Sequence, residues 1–115
     1  MEDTAAVLAG QCEPWPAKQA LAAILQRAGL RVDVGPFSVR VKDCSHFVFQ
    51  NYGGDISTPT IDADGDSAES LARDAALVSQ ALKAADVRHR FEVYGPDDRL
   101  AAYLHHRWLQ AAVEG

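Results

Sequence analysis

The most constraining feature of the sequence is a strict alternation of apolar and polar residues between Leu30 and Val41, interrupted only at Gly35-Pro36. Side chains of a β-strand point alternately to opposite faces, so this pattern predicts two strands that each bury one face. The Gly-Pro pair is typical of a turn, which makes the two strands an antiparallel hairpin. A third strand is predicted over residues 45–50. The chain is therefore expected to contain an antiparallel sheet with a buried face.

Two segments have the apolar period of helices that could cover this face. The first is predicted at about residues 16–28, because Pro16 suits the first turn and Gly29 suits the left-handed position just after the end. The second is predicted at about residues 67–85, where Asp66 and Glu69 have the spacing of a capping box.

The remaining segments have weaker or ambiguous patterns. Residues 57–61 fit a short edge strand, since Pro59 cannot donate a ladder hydrogen bond, and residues 87–94 alternate as a strand does. Residues 99–115 fit two structures. Their composition favours a third helix, whereas the short loop before them allows a last hairpin strand, with His106 opposite Val87. Both alternatives give the same fold class, a two-layer α+β sandwich on a mostly antiparallel sheet.

The 115 residues are expected to form one domain over residues 14–115, preceded by a flexible tail over residues 1–13. No apolar run reaches the roughly 20 residues that a membrane helix needs, so we expect no membrane partner. Cys12 and Cys44 are too few for a disulfide framework. A reducing, cytoplasmic location is predicted for this bacterial-type chain.

The net charge of −5 is concentrated in residues 55–86, which hold seven acidic and two basic residues. Such a segment would repel the phosphates of a nucleic acid, and no basic run with interleaved aromatic residues compensates for it. The sequence therefore argues against nucleic acid as a partner.

Asp62, Asp64 and Asp66 have the alternate spacing with which a calcium loop begins. The template then fails, because its sixth position is Ser67 and its twelfth is Arg73. We therefore interpret this segment as a solvated turn whose last aspartate caps the second helix.

The histidines suggest a metal site as an alternative. If residues 99–115 contain the hairpin strand, His89 and His106 lie diagonally on one face, about 7–8 Å apart, and His46 or Cys44 could add a third ligand if the third strand is adjacent. A helix there would separate them. Cys44 and His46 could also form a nucleophilic dyad, but no group that would orient the dyad can be identified. No cofactor is predicted.

Arginine and aromatic residues of the types enriched at protein interfaces cluster near the C-terminus. They are Arg88, Arg90, Tyr94, Tyr103, Arg107 and Trp108. Since each catalytic template lacks a member, the sequence favours a non-enzymatic domain that binds a protein partner or forms a homodimer. The predicted element order is similar to that of small secretion chaperones and of some immunity proteins, an analogy of fold alone. The alternative is a metal-dependent enzyme or small-ligand binder centred on His89 and His106.

Overall fold

A computed structural model describes residues 5–44, 46–51 and 59–108. Within them lie seven strands and two helices. In chain order they are β1 (Ala6–Cys12), α1 (Lys18–Arg27), β2 (Val32–Val34), β3 (Ser38–Val41), β4 (His46–Gln50), β5 (Thr60–Gly65), α2 (Ala68–Ala84), β6 (His89–Tyr94) and β7 (Leu100–His106).

The seven strands form one sheet in the order β2-β3-β4-β5-β1-β6-β7, and every neighbouring pair is antiparallel. Helix α1 packs over β2 and β3, and α2 packs over β1, β5, β6 and β7. The predicted two-layer α+β fold is confirmed.

The core lies between the helices and one face of the sheet. Phe47 of β4 contacts Phe91 of β6 edge to face, with ring centroids 5.5 Å apart, and both are fully buried. Leu25 of α1 and Leu82 of α2 close the core from the helical side and are also fully buried. Burial of these side chains is the main favourable contribution to folding.

The local elements follow the sequence closely. The hairpin of β2 and β3 turns at Gly35, whose N–H donates to Ser38 O over 2.8 Å. Helix α1 is followed by Gly29 with φ of 91°, the left-handed conformation expected there. Helix α2 is capped differently from the prediction. Its capping box is formed by Ser67 and Ser70, and not by Asp66 and Glu69.

The predicted flexible tail over residues 1–13 is wrong for residues 6–12. These form β1, which is hydrogen-bonded to β5 on one side and to β6 on the other. Glycine is required at position 10 of this strand, because a Cβ there would lie 2.7 Å from Phe91 Cδ1. The strand is rich in small residues, so its local pattern is weak, and its stability comes from its two neighbours.

The prediction of a short edge strand at residues 57–61 is also wrong. Strand β5 begins at Thr60, directly after Pro59, and lies in the interior of the sheet between β4 and β1. Asp62 and Asp64, which we expected in a solvated turn, therefore belong to a strand. Residues 57 and 58 lie outside the described part of the chain.

Residues 100–106 form the hairpin strand and not the third helix that composition favoured. The register also differs from the predicted one, because His106 lies opposite His89 and not opposite Val87. Two features shift the pairing by one residue each: the turn places Leu100 opposite Tyr94 and not opposite Val93, and the irregularity of the ladder that follows places Val93 opposite Ala102. Residues 109–115 lie outside the described residues.

Candidate interaction surface

His89 is a buried, neutral histidine with two hydrogen bonds. Its Nδ1 lies 2.8 Å from Val87 O and its Nε2 lies 2.7 Å from Ser79 Oγ. A carbonyl oxygen can only accept, so Nδ1 carries the proton, and Nε2 accepts from the Ser79 hydroxyl. Burial is the main cause that lowers the pKa of His89 below 6.5. This side chain is therefore a satisfied part of the core.

The structure brings His89 and His106 together but does not arrange them as metal ligands. Their ring centroids are 6.2 Å apart, yet the Nε2 lone pair of His89 is used by Ser79. His106 Nε2 lies 2.9 Å from Asp86 Oδ1. His46 lies on β4, which β5 and β1 separate from β6. Residues 5–44, 46–51 and 59–108 contain no group of three or more potential metal ligands.

Cys44 does not have the properties of a nucleophile. Burial raises the pKa of its thiol to about 12, with smaller contributions from the carboxylates of Asp74 and Asp43. A thiol with such a pKa stays protonated at neutral pH and reacts slowly. The burial of Cys44 therefore argues against the predicted dyad with His46.

Three of the predicted binding residues form one cluster, which we call the Arg-Trp cluster: Arg88, Arg90 and Trp108. The guanidinium carbon of Arg88 lies 4.7 Å from the centroid of the Trp108 ring, and that of Arg90 lies 5.3 Å from it. Each arginine also has a polar partner on the first strand or just after it. Arg88 pairs with Glu13, and Arg90 Nε donates to Gln11 Oε1 over 2.9 Å.

Tyr94 and Tyr103 lie on the same face of the sheet as Arg90. The Tyr94 hydroxyl donates to Glu92 Oε1 over 2.8 Å, and this hydrogen bond raises the pKa of Tyr94. Tyr103 is the cross-strand neighbour of Glu92 and stacks on His105, with centroids 5.1 Å apart.

Arg107 lies apart from the Arg-Trp cluster. Its Nη1 is 2.8 Å from Asp86 Oδ2, and Asp86 also binds His106. Hydrogen bonds from His106 and Arg107 lower the pKa of the Asp86 carboxyl. The guanidinium of Arg107 thus stabilises the turn of the backbone after β7. Its contact with the Arg-Trp cluster is made by the backbone carbonyl of Arg107, which accepts a hydrogen bond from Arg88 Nε.

The sequence prediction missed the centre of this face. Alternate side chains of β5, β1 and β6 point away from the helices, and we call this surface the open face. It comprises Val7, Ala9 and Gln11 of β1, Thr60, Asp62 and Asp64 of β5, and Arg90, Glu92 and Tyr94 of β6. The strict alternation of polar and apolar residues over 60–64 was the sequence signal that could have revealed it.

The uncompensated charge of the open face is negative. Arg90 lies 3.5 Å from Glu92, so this cation already has a carboxylate nearby. Asp62 accepts a hydrogen bond from Thr60 over 3.1 Å. Neither Asp62 nor Asp64 takes part in an ion pair among the residues that the structure describes. Between these carboxylates and β6 lies the apolar surface of Val7 and Ala9.

Comparison with models of protein families found no match, and searches of curated proteins and of solved structures found none either. Neither of the two helices in the described chain has the length and apolar composition needed to cross a membrane.

Proposed function

We propose that this chain is a small, non-catalytic protein-binding domain and that it binds a protein partner through the open face. The observation that supports this is the unequal covering of the sheet. Helix α2 buries one face of β5, β1 and β6. On the other face, the described residues leave side chains in contact with solvent, and Val7 among them is 53 % exposed. Exposed apolar surface bordered by polar groups is typical of interaction sites.

The charges of the open face favour a partner with basic residues. Asp62 and Asp64 lie beside the small apolar side chains of β1. Within the described part of the chain neither carboxylate forms an ion pair. A Lys or Arg of a partner would form an ion pair with them while an apolar group contacts Val7 and Ala9. Arg90 of a second copy would not be this cation, because Arg90 is already engaged with Glu92 and Gln11.

The cysteines support a reducing compartment, such as the cytoplasm, as the place where the domain acts. Cys12 and Cys44 are both free and buried, and burial raises the pKa of each thiol to about 12. Free buried thiols of this kind are typical of proteins from reducing compartments.

The test is site-specific photocrosslinking in the cells that naturally produce the protein. A crosslinking side chain replaces Ala9 on the open face or, as the matched position on the covered side, the exposed Arg73 of α2. We expect one dominant protein adduct from position 9 and none from position 73. The crosslinked peptide of the partner should contain Lys or Arg.

A charge variant makes the test specific. Asp62→Asn with Asp64→Asn should reduce the adduct from position 9 by at least about tenfold, the effect of roughly 1.4 kcal/mol in binding. Glu69→Gln, which removes an exposed carboxylate on α2, should leave the adduct unchanged. Equal adducts from both positions, or no protein adduct from position 9, would refute the proposal.

A further inference from the structure

The sheet has two edges, and within residues 5–44, 46–51 and 59–108 only one of them is protected against pairing. At one edge, β2 is three residues long and has Asp33 at its centre, and the adjoining Arg31 forms an ion pair with Asp43 at 2.8 Å. At the other edge, β7 is seven residues long, and the residues Leu100–His106 include no Lys, Arg, Asp, Glu or Pro. The two edges of one sheet therefore differ in length and in charge.

This difference matters because an edge strand presents unpaired N–H and C=O groups. Proteins usually prevent edge-to-edge pairing with short strands, charges, Pro or bulges. The irregularity in the β6–β7 ladder lies near the turn, and regular pairing continues from Ala102 opposite Val93 to His106 opposite His89. Most of β7 thus remains a regular, uncharged template for another strand.

The described chain does not return to cover this edge. Arg107 has φ of 58°, which turns the backbone, and Trp108 then stacks on Arg88 and Arg90. The last described residue, Trp108, thus lies against arginines of β6 and of the segment before it. Beside β7, a groove of about 280 Å³ lies against α2, lined in part by Gln80, Lys83 and Leu104, and leaves room for side chains of an added strand.

We infer that β7 pairs with β7 of a second copy of the chain, antiparallel about a two-fold axis. A two-fold axis brings the same surface of both copies together, so the strand must be complementary to itself. If the two-fold axis passes beside Tyr103, Ala102 of one copy lies opposite Leu104 of the other. No like charges then face each other along β7, since the strand contains no Lys, Arg, Asp or Glu. At the ends, Arg99 would approach Arg107, but each has its own carboxylate partner, Asp97 or Asp86.

The resulting dimer would have one continuous sheet, with the open faces of both copies on the same side. This follows because edge-to-edge pairing about a two-fold axis perpendicular to the sheet keeps each face on its side. The inference does not depend on the proposed partner of the open face, since β7 and the centre of that face are separated by β6.

The first experiment measures the mass of the purified full chain in solution by sedimentation velocity over a range of concentrations. Ala101→Lys adds a charge to β7, and Ala9→Lys adds the same charge to an exposed alanine of β1. We expect a dimer for the unchanged chain and for Ala9→Lys, and a folded monomer for Ala101→Lys. Loss of the dimer in Ala9→Lys alone would show pairing through the open face and would overturn the inference, as would a monomeric unchanged chain.

The second experiment tests the register of the β7–β7 pairing by the formation of a disulfide and not by the loss of the dimer. On the two-fold axis, Tyr103 faces Tyr103 of the other copy, so Tyr103→Cys should form an intermolecular disulfide under mild oxidation. Ala9→Cys serves as the matched control and should remain monomeric on non-reducing gels. Crosslinking of Ala9→Cys and not of Tyr103→Cys would contradict the proposed dimer even if the measured mass is that of a dimer.

Discussion

Replacing Ser79 by alanine should destabilise the protein, because it removes one hydrogen-bond partner from a fully buried histidine. The Ser79 hydroxyl donates to His89 Nε2 over 2.7 Å, and His89 has no exposed surface. In Ser79→Ala, this nitrogen lone pair stays buried without a donor. The other ring nitrogen, Nδ1, keeps its hydrogen bond to Val87 O.

The size of the effect follows from this loss of one buried partner. Leaving a buried acceptor unsatisfied costs about 1–3 kcal/mol. The substitution removes a single oxygen atom, so the cavity contribution is small. For a chain of this length, a loss of about 2 kcal/mol lowers the melting temperature by roughly 8 °C.

The assay is urea unfolding monitored by circular dichroism, with a thermal scan of the same samples. Arg73→Ala is the matched control, since Arg73 also lies on α2, is exposed and does not line the groove beside β7. We expect the control to lie within about 0.5 kcal/mol of the unchanged protein. A free energy of unfolding for Ser79→Ala within that same range would refute the assignment of Nε2 as a buried acceptor.

Two further predictions concern the same core. Burial lowers the pKa of His89 below its ordinary 6.5, so the unfolded chain binds more protons in that range. The His89 contribution to stability is present above the ordinary value and is lost as the pH falls through the lower folded-state pKa. We therefore expect the melting temperature to drop as the pH falls below the ordinary value of 6.5, and His89→Gln to flatten this dependence; parallel curves would contradict it. Gly10→Ala should cost about 1–3 kcal/mol in urea unfolding, because the added Cβ would lie 2.7 Å from Phe91 Cδ1. The exposed Ala9→Val is the control, and equal stability of both variants would be the contrary result.

The sequence by itself determined the elements whose pattern is local. The alternation around Gly35 predicted the hairpin of β2 and β3, and the apolar period predicted both helices to within about two residues. These patterns suffice because they record which side of an element is buried. About ten consecutive residues of such an element show which of its sides is buried, even when the partner it packs against is unknown.

Only the tertiary structure decided which strands are neighbours. Strand β1 has a weak local pattern and is stable because β5 and β6 bind it on both sides, contacts that lie about 50 to 90 residues away in sequence. The same long-range pairing places Asp62 and Asp64 beside Val7 and Ala9 and creates the open face.

The role of each candidate site residue was decided in the same way. The sequence placed His89 and His106 on facing strands as one of two alternatives, but only the register and the position of Ser79 on α2 show how their nitrogens are used. Likewise, Trp108 reaches Arg88 and Arg90 because the backbone turns at Arg107. Hydrogen bonds and ring contacts depend on angstrom-scale positions, which the order of residues fixes only through the folded chain.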